Sequence, residues 1–102
     1  MTYALFIDDE RFPVNEDWVI VRTSEDAIDC VLEHGMPNFI SFDHDLGGDD
    51  TSMNFLCWMT DALCDGVIQF PSDFDYAVHS QNPVGAKNIK GMMHNLLAHF
   101  KK

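Results

Sequence analysis

Short apolar runs alternate with longer amphipathic stretches along this chain. Four of the runs have the length and the β-branched or aromatic content of buried strands, and polar residues follow each of them. These runs span residues 3–7, 18–21, 39–42 and 74–79. A further run, residues 67–73, fits either a short strand or a packed loop.

Three stretches between and after these runs carry apolar residues at helical spacing, which predicts three helices. Each begins at a residue type that caps helices, and the first two stop at a glycine. In the last stretch, Asn82 is the predicted cap and Pro83 takes the first helical position. The other predicted caps are Thr23 or Ser24 and Thr51 or Ser52, and the glycines are Gly35 and Gly66.

Strands that alternate with helices predict an α/β domain with a mostly parallel sheet. Right-handed crossovers bring the carboxyl ends of parallel strands to one edge of the sheet, where such folds bind ligands. Three polar segments leave the predicted strands at that edge: residues 8–10, 43–45 and 79–82. We therefore expect these segments to meet on one rim.

Composition narrows the class of protein. The chain has 102 residues, of which 46% are hydrophobic, as expected for one globular domain over residues 1–102. Its formal net charge of −11 disfavours binding to duplex DNA or to an anionic membrane. No apolar run reaches the roughly 18 residues that span a bilayer, and the N-terminus lacks the basic region of a signal peptide. We expect a cytoplasmic protein.

The three cysteines are an odd number and form no C-x-x-C pair, so we expect reduced thiols rather than a disulfide or a zinc site. Cys30 and Cys57 lie in apolar helical stretches and are predicted to be core residues. The tryptophans and phenylalanines are likewise predicted to fill the core rather than to stack on bases.

The acidic residues are unevenly placed, since residues 1–50 hold 13 of the 17. Asp8 and Asp9 follow the first predicted strand, and Asp43 and Asp45 follow the third. Carboxylates at neighbouring strand ends suit Mg²⁺, which would also offset their mutual repulsion. The alternative is that these acids only cap turns and keep the surface solvated.

Two histidines, His44 and His79, lie at or beside predicted strand ends. An imidazole titrates near neutral pH, so either is a candidate to move a proton at the rim. The alternative for each is a packing or surface role.

The junction before the last helix has the composition of an anion site. A helix N-terminus offers free N–H groups, to which Ser80 and Asn82 add polar side chains. Gly85 would let a phosphate approach, and Lys87 would add charge. Simple helix capping by Asn82 is the alternative. Arg11 either pairs with the neighbouring acids or faces a substrate phosphate.

The segments LFIDDER, SFDHDLGG and HSQNPVG together resemble the cyclic-phosphate-processing receiver-like domain, a compact relative of response-regulator receivers. The resemblance implies a small three-layer, flavodoxin-like fold with a sheet in the order 2-1-3-4. The first helix of ordinary receivers is replaced by a loop over residues 11–17, and the fifth strand is missing. By this resemblance, Asp8 and Asp9 correspond to the Mg²⁺-binding acidic pair of ordinary receivers. Asp43 corresponds to their phospho-accepting aspartate, and Ser80 corresponds to their switch residue.

The leading hypothesis is Mg²⁺-dependent hydrolysis of a cyclic nucleotide or of an RNA cyclic-phosphate end. Its metal ligands are Asp8, Asp9, Asp43 and Asp45, its catalytic residues are Asp43, His44, His79 and Ser80, and its phosphate-binding residues are Arg11, Asn82, Gly85 and Lys87. Three alternatives remain: a module that binds such a ligand without turnover, a protein whose acidic face meets a basic protein partner, and a phospho-accepting receiver.

Overall fold

The computed structural model describes residues 2–13 and 17–101. Two strands precede the first helix, after which strands and helices alternate, in the order that the sequence pattern predicts. Because residues 14–16 lie outside the described residues, the predicted 11–17 loop is described only in part. The elements are β1 (Ala4–Ile7), β2 (Trp18–Val21), α1 (Ser24–His34), β3 (Phe39–Phe42), α2 (Ser52–Cys64), β4 (Asp75–Val78) and α3 (Pro83–Phe100).

The four strands form one parallel sheet in the order β2-β1-β3-β4, which confirms the predicted topology. The register aligns Ile7 with Phe42, and Phe42 with Val78. Backbone hydrogen bonds continue past these strand ends, because the N–H of Asp43 donates to Ile7 and that of His79 donates to Phe42, both at 2.9 Å. The polar residues that leave the strands are therefore neighbours at one edge.

One face of the sheet holds the core. Leu5, Ile7, Ile40 and Phe42 alternate along β1 and β3, are fully buried, and pack with apolar residues from all three helices. The opposite face is covered by aromatic side chains that pack edge to face, with Trp18 contacting both Phe6 and Phe39.

The expected third layer is therefore not formed by any described helix. The connections from β2 to β3 and from β3 to β4 run the same way across the sheet, so right-handed crossovers place α1 and α2 on one face. Only the β1–β2 connection runs the other way, and no described helix lies in it.

Side-chain caps fix the helix starts as the sequence predicts. Thr23 accepts from the N–H of Asp26, and Thr51 accepts from that of Met53, which decides both alternatives in favour of threonine. Gly35 ends α1 at a φ of +83°, where glycine is favoured. None of the helices in the described part of the chain is long and apolar enough to cross a membrane.

Some local predictions are corrected. Cys30 is buried, but Cys57 is exposed because it lies one position beyond the apolar stripe of α2. Phe12 is 75% exposed, so it is not a core residue. The 67–73 run is a loop anchored by the buried Ile68, and the fourth strand begins one residue later and ends one residue earlier than predicted.

Candidate functional site

Asp8 is the most constrained residue at the sheet edge, and its side chain is fully buried. Its Oδ1 accepts the backbone N–H groups of Glu10 at 3.0 Å and Arg11 at 2.9 Å. Its Oδ2 accepts from Arg11 Nε at 2.8 Å and from His79 Nε2 at 2.9 Å. A carboxylate has about four lone-pair sites, so these bonds use all of them.

The same contacts set the ionisation of Asp8. Burial on its own would raise the pKa of this carboxyl group. The hydrogen bonds from the N–H groups of Arg11 and Glu10, the bond from His79 and the charge of Arg11 together outweigh burial, so the pKa of Asp8 lies below its ordinary value. Asp8 is therefore a buried anion at neutral pH.

Arg11 bridges the acids of two strand ends. Besides its bond to Asp8, its Nη2 lies 3.1 Å from Oδ2 of Asp43, which is also buried. Burial would lower the pKa of the guanidinium, but Asp43 and Asp8 raise it. Of the two roles that the sequence left open for Arg11, pairing with the acids is the one observed, although 39% of its side chain remains exposed.

His79 is held on both ring nitrogens. Its Nδ1 lies 2.7 Å from Oγ of Ser41 and its Nε2 contacts Asp8, while the ring stacks on Phe6 with centroids 4.6 Å apart. A proton transfer between His79 and a ligand would have to break one of these bonds. Sequence reasoning missed Ser41, although a polar residue inside the apolar run FISF was the available signal.

Asp8, Asp43 and His79 also form a group with metal-binding potential, since one ligand atom from each lies within 4.8 Å of the others. However, Arg11 contacts Oδ2 of both carboxylates. The guanidinium thus already supplies the positive charge that the sequence assigned to a bound ion.

Beside this cluster lies an open cavity of about 250 Å³ at the carboxyl edge of the sheet. All three predicted segments contribute to its wall, which confirms that they converge. Five predicted site residues do not line it: Asp8, His44, His79, Gly85 and Lys87. The lining residues are Asp9, Glu10, Arg11, Asp43, Asp45, Ser80, Gln81 and Asn82, of which Glu10 and Gln81 were not predicted.

His44 packs against the start of α3 instead of facing the cavity. A Cβ at Gly85 would lie 2.7 Å from the His44 Cβ and closer still to its ring, so only glycine fits there. His44 Nδ1 lies 2.9 Å from Asp45, and this bond is the main cause that lowers the pKa of Asp45, followed by a bond from Asn82.

The N–H of Gly85 is used by the helix cap, because it donates to the side chain of Asn82 at 3.0 Å. Lys87 is exposed on α3, away from the cavity wall. Ser80 lies on the wall, where its Oγ accepts the N–H of Asn82 at 3.1 Å. No described group accepts the Ser80 hydroxyl proton, so this hydroxyl is free to donate to a ligand.

Two glycines of α3 give a matched test of this packing. Gly85→Ala is expected to destabilise the fold by about 1–3 kcal/mol, because the new methyl group overlaps the His44 ring. Gly91→Ala, where nothing lies within 4 Å, is expected to stabilise it by about 0.5–1 kcal/mol through higher helix propensity. Urea unfolding measures both, and equal changes would show that the His44 contact does not constrain position 85.

Not every acid near the edge belongs to the site. Asp50 accepts from both the backbone N–H and the hydroxyl of Ser24, and from Asn54, so it ties the β3–α2 loop to α1. Burial would raise the pKa of Asp50, but these bonds lower it. Its role is structural.

A parallel sheet in the order β2-β1-β3-β4 with an acidic cavity at its carboxyl edge defines a receiver-like α/β protein. The family model of the cyclic-phosphate processing receiver domain matches residues 3–95, so the chain belongs to that family. No curated protein and no solved structure gives a significant match to this chain.

Proposed function

We propose that this chain binds a cyclic phosphodiester in the cavity and hydrolyses it to a phosphomonoester with the help of a divalent cation. One feature supports the proposal most directly: carboxylates, a guanidinium and a free hydroxyl line one cavity at the carboxyl edge of the sheet. The family description, cyclic-phosphate processing, supports the ligand class.

The charge of the wall argues for the cation. Four carboxylates line the cavity against a single guanidinium, so an anionic phosphodiester is repelled unless a positive ion enters with it. Carboxylate oxygens and phosphate oxygens are the ligands that Mg²⁺ prefers. The charge and the donor type of this wall therefore fit Mg²⁺.

The lone pairs that remain free decide which of the predicted metal ligands could hold the ion. Asp8 has no free lone pair while Arg11 and His79 stay in place. Asp9, Asp43 and Asp45 lie on the wall, and Asp43 uses only Oδ2 for Arg11, so these three would hold the ion. When bound, Mg²⁺ would lower the pKa of a coordinated water and offset charge that develops on the phosphoryl group.

The remaining wall groups suit the phosphate itself. Arg11 has five N–H donors and uses Nε and Nη2 for the two acids, which leaves others for a phosphate oxygen. The Ser80 hydroxyl would donate a second bond. These contacts would orient the phosphodiester for attack by water.

In the reaction, the water oxygen forms a bond to phosphorus, one P–O bond of the ring breaks, and the water's proton ends on the leaving ribose oxygen. We assign this proton transfer to the His44–Asp45 pair, because Asp45 lies on the wall and His44 contacts it at 2.9 Å. Both ring nitrogens of His79 are already bonded. His79 would instead position Asp8, and through it Arg11.

The test uses purified protein, Mg²⁺ and a panel of 2′,3′- and 3′,5′-cyclic nucleotides, with products followed by ³¹P NMR. We expect Mg²⁺-dependent ring opening, and Asp43→Asn should lower kcat/KM at least tenfold, which corresponds to about 1.4 kcal/mol. Asp29→Asn, which neutralises an exposed acid on α1, is the control and should leave turnover unchanged. A turnover rate that changes neither on removal of Mg²⁺ nor in Asp43→Asn would contradict the proposal.

A second function, ligand binding without turnover, is favoured because no described histidine lies on the cavity wall. A cyclic nucleotide would then raise the melting temperature without forming product. A phosphomonoester signal in the NMR assay decides against this alternative.

A further inference from the structure

Phe12 is an exposed aromatic residue in the loop that supplies the cavity wall with Arg11. Its side chain is 75% exposed, more than any other large hydrophobic residue described as exposed, and it directly follows the wall residue Arg11. An exposed phenylalanine leaves apolar surface in water that contact with a ligand would bury. Because Phe12 is one residue from the wall, its ring is within reach of a ligand that extends beyond the cavity.

Within the described part of the chain, one charged side chain packs on the ring of Phe12. The Arg22 guanidinium lies over it at 4.6 Å from the ring centroid, a cation–π geometry. Arg22 is itself fixed, because its Nη1 donates to the carbonyl of Asp8 at 3.1 Å and to that of Arg11 at 2.6 Å. The loop that carries the cavity's guanidinium and the aromatic ring are thus braced by one side chain.

The cavity size leaves a part of a nucleotide ligand outside. A volume of about 250 Å³ lies below the roughly 300–1,000 Å³ of pockets that enclose small organic ligands. All the lining residues are polar or charged, which suits a cyclic phosphate and its sugar but supplies no aromatic or aliphatic side chain for a base. A base attached to that sugar must therefore lie at the rim.

Resting on the proposed function, we infer that Phe12, braced by Arg22, stacks on the base of a nucleoside cyclic phosphate and makes the site selective for nucleosides over other cyclic phosphates. Stacking on an aromatic face is tolerant of base identity, because every base has a π-face. The site would therefore take all four bases and select for the presence of a base.

The experiment measures the half-saturating concentration of two ligands in Mg²⁺, as KM by ³¹P NMR where the ring opens and by calorimetry where it does not: adenosine 2′,3′-cyclic phosphate, and glycerol 1,2-cyclic phosphate, which has the same phosphate ring but no base. We expect Phe12→Ala to weaken binding of the adenosine ligand about tenfold, which is within the range of base–aromatic stacking energies. Binding of the glycerol ligand should not change. Phe12→Trp keeps an aromatic ring at this position and should keep the affinity for the adenosine ligand. Val67→Ala, which truncates another exposed apolar residue, is the control.

Equal effects of Phe12→Ala on both ligands, or none on either, would overturn the inference while leaving the proposed function intact. Equal affinity of the unaltered protein for the two ligands would also overturn it. If the unaltered protein binds neither ligand, the proposed function fails, and the inference fails with it. Phe12 is exposed, so the variant should fold, and circular dichroism checks this.

Discussion

Asp8→Asn is expected to lower the free energy of unfolding by about 3 kcal/mol at pH 7, because it removes one partner of a buried ion pair. The carboxylate is fully buried and accepts bonds from Arg11, His79 and the backbone of Glu10. An amide there would turn a donor toward the groups that now donate to Asp8, so at least one would lose its partner. Urea unfolding measures the change.

The difference in free energy of unfolding between Asp8→Asn and the unaltered protein should shrink at acid pH. The pKa of Asp8 in the folded state is lowered, so its contribution is complete above its unfolded value of about 3.9 and is lost as pH falls through the folded pKa. Asp9→Asn is the control: Asp9 is exposed, so without Mg²⁺ we expect a change within about 0.5 kcal/mol. A pH-independent deficit in Asp8→Asn would contradict an ionised Asp8.

The convergence of the site on one sheet edge could be predicted from the sequence, because it depends only on strand order and direction. The short apolar runs at 39–42 and 74–79 and the polar residues after them carry that information. Parallel pairing then places His79 beside Asp43, although 36 residues separate them. The family resemblance, which the segments LFIDDER, SFDHDLGG and HSQNPVG carry, is confirmed by the family model.

The direction of individual side chains could not be predicted, because it depends on packing between elements distant in the chain. His44 follows a buried strand just as Asp43 does, but its ring turns toward Gly85. Ser41 looks like a simple strand residue until β4 brings His79 to it. Phe12 looks like a core residue, and only the tertiary structure reveals that 75% of its side chain is exposed.

These placements change the electrostatic interpretation of the site. The sequence shows acids in excess and suggests a metal to offset them. Arg11 pairs with Asp8 and Asp43, of which only Asp43 lies on the cavity wall, while the wall acids Asp9, Glu10 and Asp45 are not paired with it. We expect the Arg11 guanidinium to stabilise the fold, whereas an added Mg²⁺ ion would help to bind the anionic ligand. The two roles are separable by experiment.

Arg11→Met tests this separation, because it keeps an apolar stem and removes the guanidinium. We expect a loss of about 2 kcal/mol at pH 7, less than for a fully buried pair because Arg11 is 39% exposed and Asp8 keeps its other partners. Arg11 is one of the groups that lower the pKa of Asp8, so without it the Asp8 carboxyl takes up a proton more readily, and the deficit should shrink as pH falls. Urea unfolding from pH 7 down to pH values below about 3.9, the ordinary pKa of an aspartate, measures it.

Mg²⁺ should then stabilise Arg11→Met more than the unaltered protein, because the variant leaves lone pairs on Asp8 and Asp43 open to the ion. At 100 times its dissociation constant, a ligand that binds only the folded state adds about 2.7 kcal/mol, enough to offset the deficit. Lys90→Met, which removes an exposed base on α3, is the control and should show neither effect. If Mg²⁺ stabilises Arg11→Met and the unaltered protein equally, Arg11 and the ion do not compete for the same carboxylates. If Arg11→Met is as stable as the unaltered protein without Mg²⁺, the ion pairs do not hold the strand ends together.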